Sequence, residues 1–200
     1  MRRVLRGCAL ALLAHAFAAA DAMPPLVPTY GDRPEVKAFI QELVARDRFD
    51  PEALTRLLGG IGPNAEVISL VAPPQVPVQR NWRVYRSRFV ERVRIKAGVA
   101  FWREHAACLA RAQKDYGVPA EVLVGILGVE TLYGHRMGRF PVLEALATLA
   151  FDYPEAPNRI QRSTLFRNEL EAYLLWCRDA RQDATLLTGS YTGAIGIPQF

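Results

Sequence analysis

Apolar positions recur along this chain with the rhythm of helices, not strands. Val36, Phe39, Ile40, Leu43 and Val44 follow the i, i+3, i+4, i+7 spacing that places side chains on one helical face. Asp32-Arg33-Pro34-Glu35 precedes them, reading as a cap with a capping-box acid and a proline at an early helical position. Asp50-Pro51-Glu52 opens a second, short helix with Leu54, Leu57 and Leu58 on one side, stopped by Gly59-Gly60. Residues 61–80 hold Pro63, Pro73, Pro74 and Pro77 and read as an irregular but ordered connection. Trp82, Tyr85 and Phe89 then fall at helical spacing, and a long helix is predicted over roughly 91–116, with Val99, Trp102, Ala106 and Leu109 inward and Gly117 ending it. After Val118-Pro119-Ala120-Glu121, the residues Val122, Leu123, Ile126, Leu127 and Val129 make nearly every face apolar, the mark of a central, buried helix. Further helices are expected at about 141–151 and 159–180, the latter carrying Leu165, Phe166, Leu170, Tyr173, Leu174 and Cys177. Without period-two strands, internal repeats or low-complexity tracts, the fold class is all-α or mainly α.

The N-terminus stands apart from this pattern. Arg2, Arg3 and Arg6 precede an apolar run from Cys8 to Phe17, followed by Ala18-Ala19-Ala20 and Ala20-Asp21-Ala22. That is the layout of a secretory signal peptide over residues 1–22, too short and wrongly flanked for a transmembrane span. Cys8 precedes the apolar run, so no lipoprotein box is read there; the Arg2-Arg3 pair alone does not establish a twin-arginine route. A periplasmic location follows from the leader. The mature chain divides into an N-terminal helical segment and connection, 23–80, and a domain over 81–200.

The leader also changes the charge picture. The full chain carries 25 basic and 20 acidic residues, net +5. Setting aside residues 1–20 removes three arginines and no acids, leaving 22 against 20. A nucleic-acid partner loses its support, while binding of an acidic polymer by local patches stays open. Cys108 and Cys177 remain, both within helical patterns; an oxidising compartment allows a disulfide, and two buried thiols are the plainer reading. His105 and His135 are scattered, so neither a metal site nor a cofactor is expected.

Chemistry concentrates at Glu130, in Gly128-Val129-Glu130-Thr131-Leu132-Tyr133-Gly134. Burial and the negative end of a helix dipole both raise a carboxyl pKa, which suits a general acid for a glycosidic oxygen. From the local residues alone, a solvated helix-end glutamate competes equally. A conventional glycosidase uses two carboxylates, but Glu144 reads as a solvated helix residue and Asp152, in Phe151-Asp152-Tyr153-Pro154, as a turn or cap. One residue performing both proton transfers fits better. The segment from Gly189 to Phe200 holds three glycines, which let backbone approach a ligand, with Ser190, Tyr191 and Gln199 available to sugar hydroxyls. No Gly-Lys-Ser/Thr follows to make it a phosphate loop; a flexible turn is the bland alternative. Tyr85 with Trp82 offers a platform for a sugar ring, although aromatics at that spacing more often serve a core. Arg159 and Arg162 suit substrate carboxylates, against the commoner role of solvated helix charges.

Several motifs in order resemble the lytic murein transglycosylase B family, a lysozyme-like branch acting on peptidoglycan: Trp82-Arg83-Val84-Tyr85, Gly98-Val99-Ala100-Phe101-Trp102, Tyr116-Gly117-Val118-Pro119-Ala120-Glu121, residues 125–134, residues 143–154 and residues 189–200. The resemblance spans roughly 80–200 and is weaker over 23–80. It implies a lysozyme-like helical catalytic domain in which Glu130 is the single acid/base. Tyr85, Ser190 and Gln199 match groove residues that contact the glycan. The implied reaction cleaves the MurNAc–GlcNAc β-1,4 bond and leaves 1,6-anhydromuramoyl ends, in cell-wall turnover. The implied partners are peptidoglycan glycan strands and cell-wall enzyme complexes. A hydrolytic muramidase and a non-catalytic peptidoglycan-binding fragment are the alternatives. The sequence departs from the family in three ways. Glu155-Ala156-Pro157-Asn158 stands where two arginines often follow Tyr-Pro, with Arg159 and Arg162 coming later. Ile195 replaces a frequent methionine. The family pattern also continues past Phe200, so the expected domain is C-terminally truncated; some relatives carry a calcium loop in that region, which these residues do not supply.

Overall fold

The computed structural model describes residues 29–74 and 80–200. The expected signal peptide lies outside the described residues. The helices are α1 (Pro34–Asp47), α2 (Pro51–Gly59), α3 (Ala65–Val71), α4 (Trp82–Phe89), α5 (Arg92–Glu104), α6 (Ala106–Tyr116), α7 (Ala120–Thr131), α8 (Val142–Phe151) and α9 (Arg159–Asp179). Two-residue strands β1 (Phe140–Pro141) and β2 (Thr188–Gly189) form an antiparallel pair with Phe140 opposite Gly189. The mainly α class is as expected. No helix among the described residues is long and apolar enough to cross a membrane.

Local chemistry explains most boundaries. Asp50 caps α2 by accepting from the Ala53 amide at 2.6 Å. The 61–80 connection contains a helix that its prolines hid: Asn64 caps α3, accepting from the amides of Glu66 and Val67 at 3.1 Å. The capping box before α1 does not form. Arg33 is the cap residue without a side-chain cap bond, and Glu35 instead accepts from Arg33 Nε at 2.7 Å. The single helix expected over 91–116 is two, α5 and α6, broken at His105 (φ −107°, ψ 19°), whose ring packs 4.4 Å from Phe101.

The largest correction concerns which helix is central. Every residue of α8 except Glu144 is buried. In α7 only Ala120, Val124, Gly128 and Thr131 are buried, whereas Val122, Ile126 and Val129 are 41–48% exposed. α7 packs on α5 and α6 along one side, while α8 sits among α3, α9 and the remaining core.

Packing groups the chain differently from a division at residue 80. One core joins Tyr30, Val36, Leu43, Leu58 and Val67 from the N-terminal helices to Leu143, Leu149, Leu170 and Leu174 of α8 and α9. A smaller cluster of Leu109, Ala120 and Val124, with Phe101, Leu123 and Tyr133 against it, holds α5–α7 together. Polar contacts bind the N-terminal helices to α8. Asp152, at the C-terminus of α8, accepts from Arg33 Nη1 at 2.7 and 2.9 Å and from the Tyr30 hydroxyl at 2.7 Å. Buried Thr148 accepts from the Asn64 amide at 3.0 Å. Burial first, and the bond to Asp152 second, push the Tyr30 phenol above its ordinary pKa.

Candidate functional site

Glu130 is the penultimate residue of α7, and the chain reverses sharply just beyond it. Leu132 (φ 51°), Tyr133 (φ 59°) and Gly134 (φ 87°) are successively left-handed, and the Tyr133 amide returns to the Leu127 carbonyl at 3.1 Å. Two consecutive bulky residues in this region are strained, and tertiary packing holds them. The Tyr133 ring stacks on Phe101 (5.3 Å, 30°), and its hydroxyl fills a slot between α5 and α7 where a Cβ on either Gly98 or Gly128 would overlap it. Burial pushes the Tyr133 phenol pKa up. Arg94 donates to the Gly128 carbonyl, which lies two residues before Glu130.

The Glu130 side chain is exposed, not buried. α7 turns its small residues inward and its last outward-facing residues, Val129 and Glu130, away from α5 and α6.

The terminal segment docks beside this end of α7, so the two motifs are brought together. Buried Thr131 donates to the Ile197 carbonyl at 2.8 Å and accepts from the Gly134 amide at 2.9 Å. Gln199 (φ 60°) donates from Nε2 to the Gly196 carbonyl at 2.8 Å and to the Met137 carbonyl at 3.3 Å. Ser190 Oγ accepts from the amides of Thr192 and Ala194 at 3.2 and 3.1 Å, fixing the loop's first turn. The loop glycines serve packing within the protein. A Cβ on Gly193 would overlap Leu146, and one on Gly138 would overlap the Gly189 backbone.

The other expected site residues sit on α4 and α9. Tyr85 is exposed on α4, stacked with Trp82 (5.8 Å) and tilted against Phe89 (4.8 Å). Arg162, on α9, donates to the Tyr153 hydroxyl at 3.3 Å and lies over the Phe166 ring at 5.2 Å. It lines an open, mostly apolar cleft of about 500 Å³ with Trp176, Thr192, Ile195 and Phe200, on the terminal loop's α9 side; Glu130 is not among the lining residues. Arg159 is occupied by the Tyr153 carbonyl (3.0 Å) and Glu155 (2.9 Å).

The remaining carboxylates near these motifs are engaged. Asp152 serves Arg33 and Tyr30 as above. Glu144, expected in solvent, is half-buried and accepts from Asn64 Nδ2 at 3.1 Å. Cys177 is buried and Cys108 exposed, and both are free thiols. Among the described residues no His/Cys/Asp/Glu group has metal-binding geometry. Thr131, Tyr133 and Arg94, which position the end of α7 and the loop, had no signal of their own in the sequence; the glycines at 98 and 128 were the visible trace of the Tyr133 slot.

Residues 31–200 match the transglycosylase SLT domain. Over 180 residues the chain is 37% identical to membrane-bound lytic murein transglycosylase B of Escherichia coli (strain K12), covering 86% of this chain and 48% of that protein. It superposes on the soluble lytic transglycosylase SltB1 from Pseudomonas aeruginosa with a TM-score of 0.76 at 42% identity, covering 84% of this chain and 54% of the other. The Escherichia coli lytic transglycosylase Slt35 in complex with bulgecin A gives 0.76 at 38% identity, covering 84% and 52%. The chain thus spans about half the length of these relatives. From the match over residues 31–200 and the shared backbone, it belongs to the transglycosylase SLT domain family.

Proposed function

We propose that the protein cleaves the β-1,4 bond between N-acetylmuramic acid and N-acetylglucosamine in peptidoglycan by lytic transglycosylation, with Glu130 as acid and base. The observation that carries this reading is the docking of the Gly189–Phe200 segment against the end of α7 through Thr131–Ile197 and Gln199–Met137, within a chain of the lytic transglycosylase family. Glu130 donates its proton to the bridging oxygen as the anomeric carbon–oxygen bond breaks. The muramoyl 6-hydroxyl then attacks the anomeric carbon and returns its proton to the Glu130 carboxylate, closing a 1,6-anhydro ring without water. An internal nucleophile is already held near the reacting carbon, which lowers the entropic part of the barrier. The commitment of Asp152 and Glu144 to structural hydrogen bonds supports a single-carboxylate reaction.

In this reading Tyr85 presents a ring face to a sugar, and Ser190 and Gln199 contact the glycan from the docked loop. Arg162 meets a substrate carboxylate from the α9 side. Residues 1–22 act as a signal peptide to the periplasm, and the partners are glycan strands and cell-wall enzyme complexes. The division into 23–80 and 81–200 becomes one of roles: support from the first, glycan contact from the second. Mass spectrometry of soluble products from purified sacculi is the test. Anhydro-ended fragments are expected, and Glu130→Gln should lower their release by at least about a hundredfold, the scale of lost general acid–base catalysis. Reducing-end products, or activity retained in Glu130→Gln, would overturn the assignment.

A further inference from the structure

The positive charge of this protein is gathered in one place. Between Arg80 and Arg103 the sequence carries seven arginines and one lysine against a single acid, Glu91, a net +7 that exceeds the +5 of the whole chain. All but Arg94 are exposed. Among the described residues none of the eight forms an ion pair, whereas Arg33, Arg46, Arg56, Arg139, Arg159 and Arg178 elsewhere each pair with a carboxylate. Unpaired cations at this density repel one another; Arg94 is held by the Gly128 carbonyl, and the other seven face solvent.

Their arrangement identifies the partner. On α4, Trp82, Tyr85 and Phe89 form a continuous aromatic row, with Trp82 69% exposed. At 100° per residue, Arg86 and Arg88 flank this row on opposite sides, and Arg83 lies next beyond Arg86. An interfacial membrane helix separates its cations from its apolar face; here they border the aromatic row on both sides. Ring faces suit the apolar faces of sugars. Arginine, which outnumbers lysine seven to one here, binds carboxylates through a bidentate fork.

We propose that α4 and the start of α5 form a docking surface for glycan strands bearing acidic peptide stems. The aromatic row holds the sugar backbone, while Arg83, Arg86 and Arg88 hold stem carboxylates. This rests on peptidoglycan being the substrate and adds to it a preference for stem-bearing over bare glycan, set by the arginines of α4.

The test is co-sedimentation of the full-length protein, carrying Glu130→Gln to prevent turnover. It is compared on intact sacculi and on the same sacculi stripped of peptides by an amidase. Tighter binding to intact sacculi is expected at low salt, with the difference disappearing at high salt as exposed charge pairs are screened. The Arg83→Gln/Arg86→Gln/Arg88→Gln variant should lose about tenfold in affinity for intact sacculi, the sum of three surface ion pairs. Its binding to stripped sacculi should not change. The corresponding triple lysine variant should keep the salt-dependent preference in part, and circular dichroism checks that both remain helical. Equal wild-type binding to the two sacculi, or loss of both in the glutamine variant, would overturn the proposal. So would arginine-dependent binding to phosphatidylglycerol vesicles in place of sacculi. Product analysis of the Glu130-containing protein runs alongside: a stem preference without anhydro products would overturn the proposed reaction and leave this surface standing.

Discussion

At the residue scale, the end of α7 that carries Glu130 is held by Thr131, which donates to the Ile197 carbonyl and accepts from the Gly134 amide. The glycines and apolar run around Glu130 marked a helix end in the sequence. The fact that Thr131 bonds a carbonyl 66 positions later has no local signature, because a threonine in that place suits any helix terminus. Asp152 was legible as a cap but not as the acceptor of a tyrosine and an arginine from the opposite end of the chain. Asp152→Asn should therefore lower stability by about 2 kcal/mol, the scale of a partly buried charge-assisted hydrogen bond, as read from urea denaturation. Tyr30 makes a pH-dependent contribution of definite sign. Burial raises the pKa values of Tyr30, Tyr173 and Cys177 in the folded state, so folding favours their neutral forms. Their contribution is fully present below the unfolded thiol and phenol pKa values, roughly 8.5 and 10. It is lost as pH rises through those values toward the higher folded ones. The melting temperature should be level from about pH 6 to 8 and fall above about pH 9. In Tyr30→Phe the starting value should be lower but the alkaline fall shallower; an unchanged slope would remove Tyr30 from this account.

Helical periodicity located α1, α2, α8 and α9 closely, because each presents one apolar face, or a wholly apolar surface, to a core that the chain itself completes. The same logic misplaced the centre. α7 and α8 are both apolar nearly all round, and composition alone cannot say which one neighbours surround. The break between α5 and α6 was invisible because no glycine or proline marks it; packing of His105 on Phe101 coincides with it. α7 offers a direct test of how its end is held. Gly125→Ala adds a Cβ that meets nothing within 4 Å and replaces a poor helix former, so it should stabilise by about 1 kcal/mol or be neutral. Gly128→Ala, one turn later on the same helix, would overlap the Tyr133 hydroxyl. It should cost about 1–3 kcal/mol despite its better helix propensity, as overpacking does. If the slot positions the helix end, sacculus cleavage should fall in Gly128→Ala and be retained in Gly125→Ala. Thermal melts with product release distinguish the two, and equal behaviour would mean the Tyr133 slot is not structural.

For the whole molecule, the chain is stitched from both ends inward. Helices α1–α3 belong to the same core as α8 and α9, while α5–α7, between them in sequence, rest on a cluster of three buried residues. Sequence reading could not see this, since each segment's pattern is complete on its own and only contacts between residues a hundred positions apart join them. Stability should therefore be uneven. Leu58 and Leu109 are the informative pair, both leucines, exposed by 0% and 6%. Leu58→Ala removes packing from the large core and should cost about 2–5 kcal/mol. Because that core includes α8 and α9, amide protection should drop throughout α8 and α9 as well as in α2. Leu109→Ala should lower protection chiefly in α5–α7 and leave α8 and α9 near their original values, because those helices open as a smaller cooperative unit. Native-state hydrogen exchange on the two variants reads this pattern directly. A uniform loss of protection in Leu109→Ala would show a single cooperative core. Unchanged protection of α8 in Leu58→Ala would show that the N-terminal helices merely rest on it. The proposed site has Glu130 on a helix of the smaller cluster and Ser190 and Gln199 on a loop whose Ile195 packs against the larger one. The Thr131–Ile197 hydrogen bond is thus a direct tie between α7 and that loop. Thr131→Val removes that tie, together with the acceptor for the Gly134 amide, at nearly constant volume, and should loosen the exchange protection of the α7 C-terminus before any other part of the molecule.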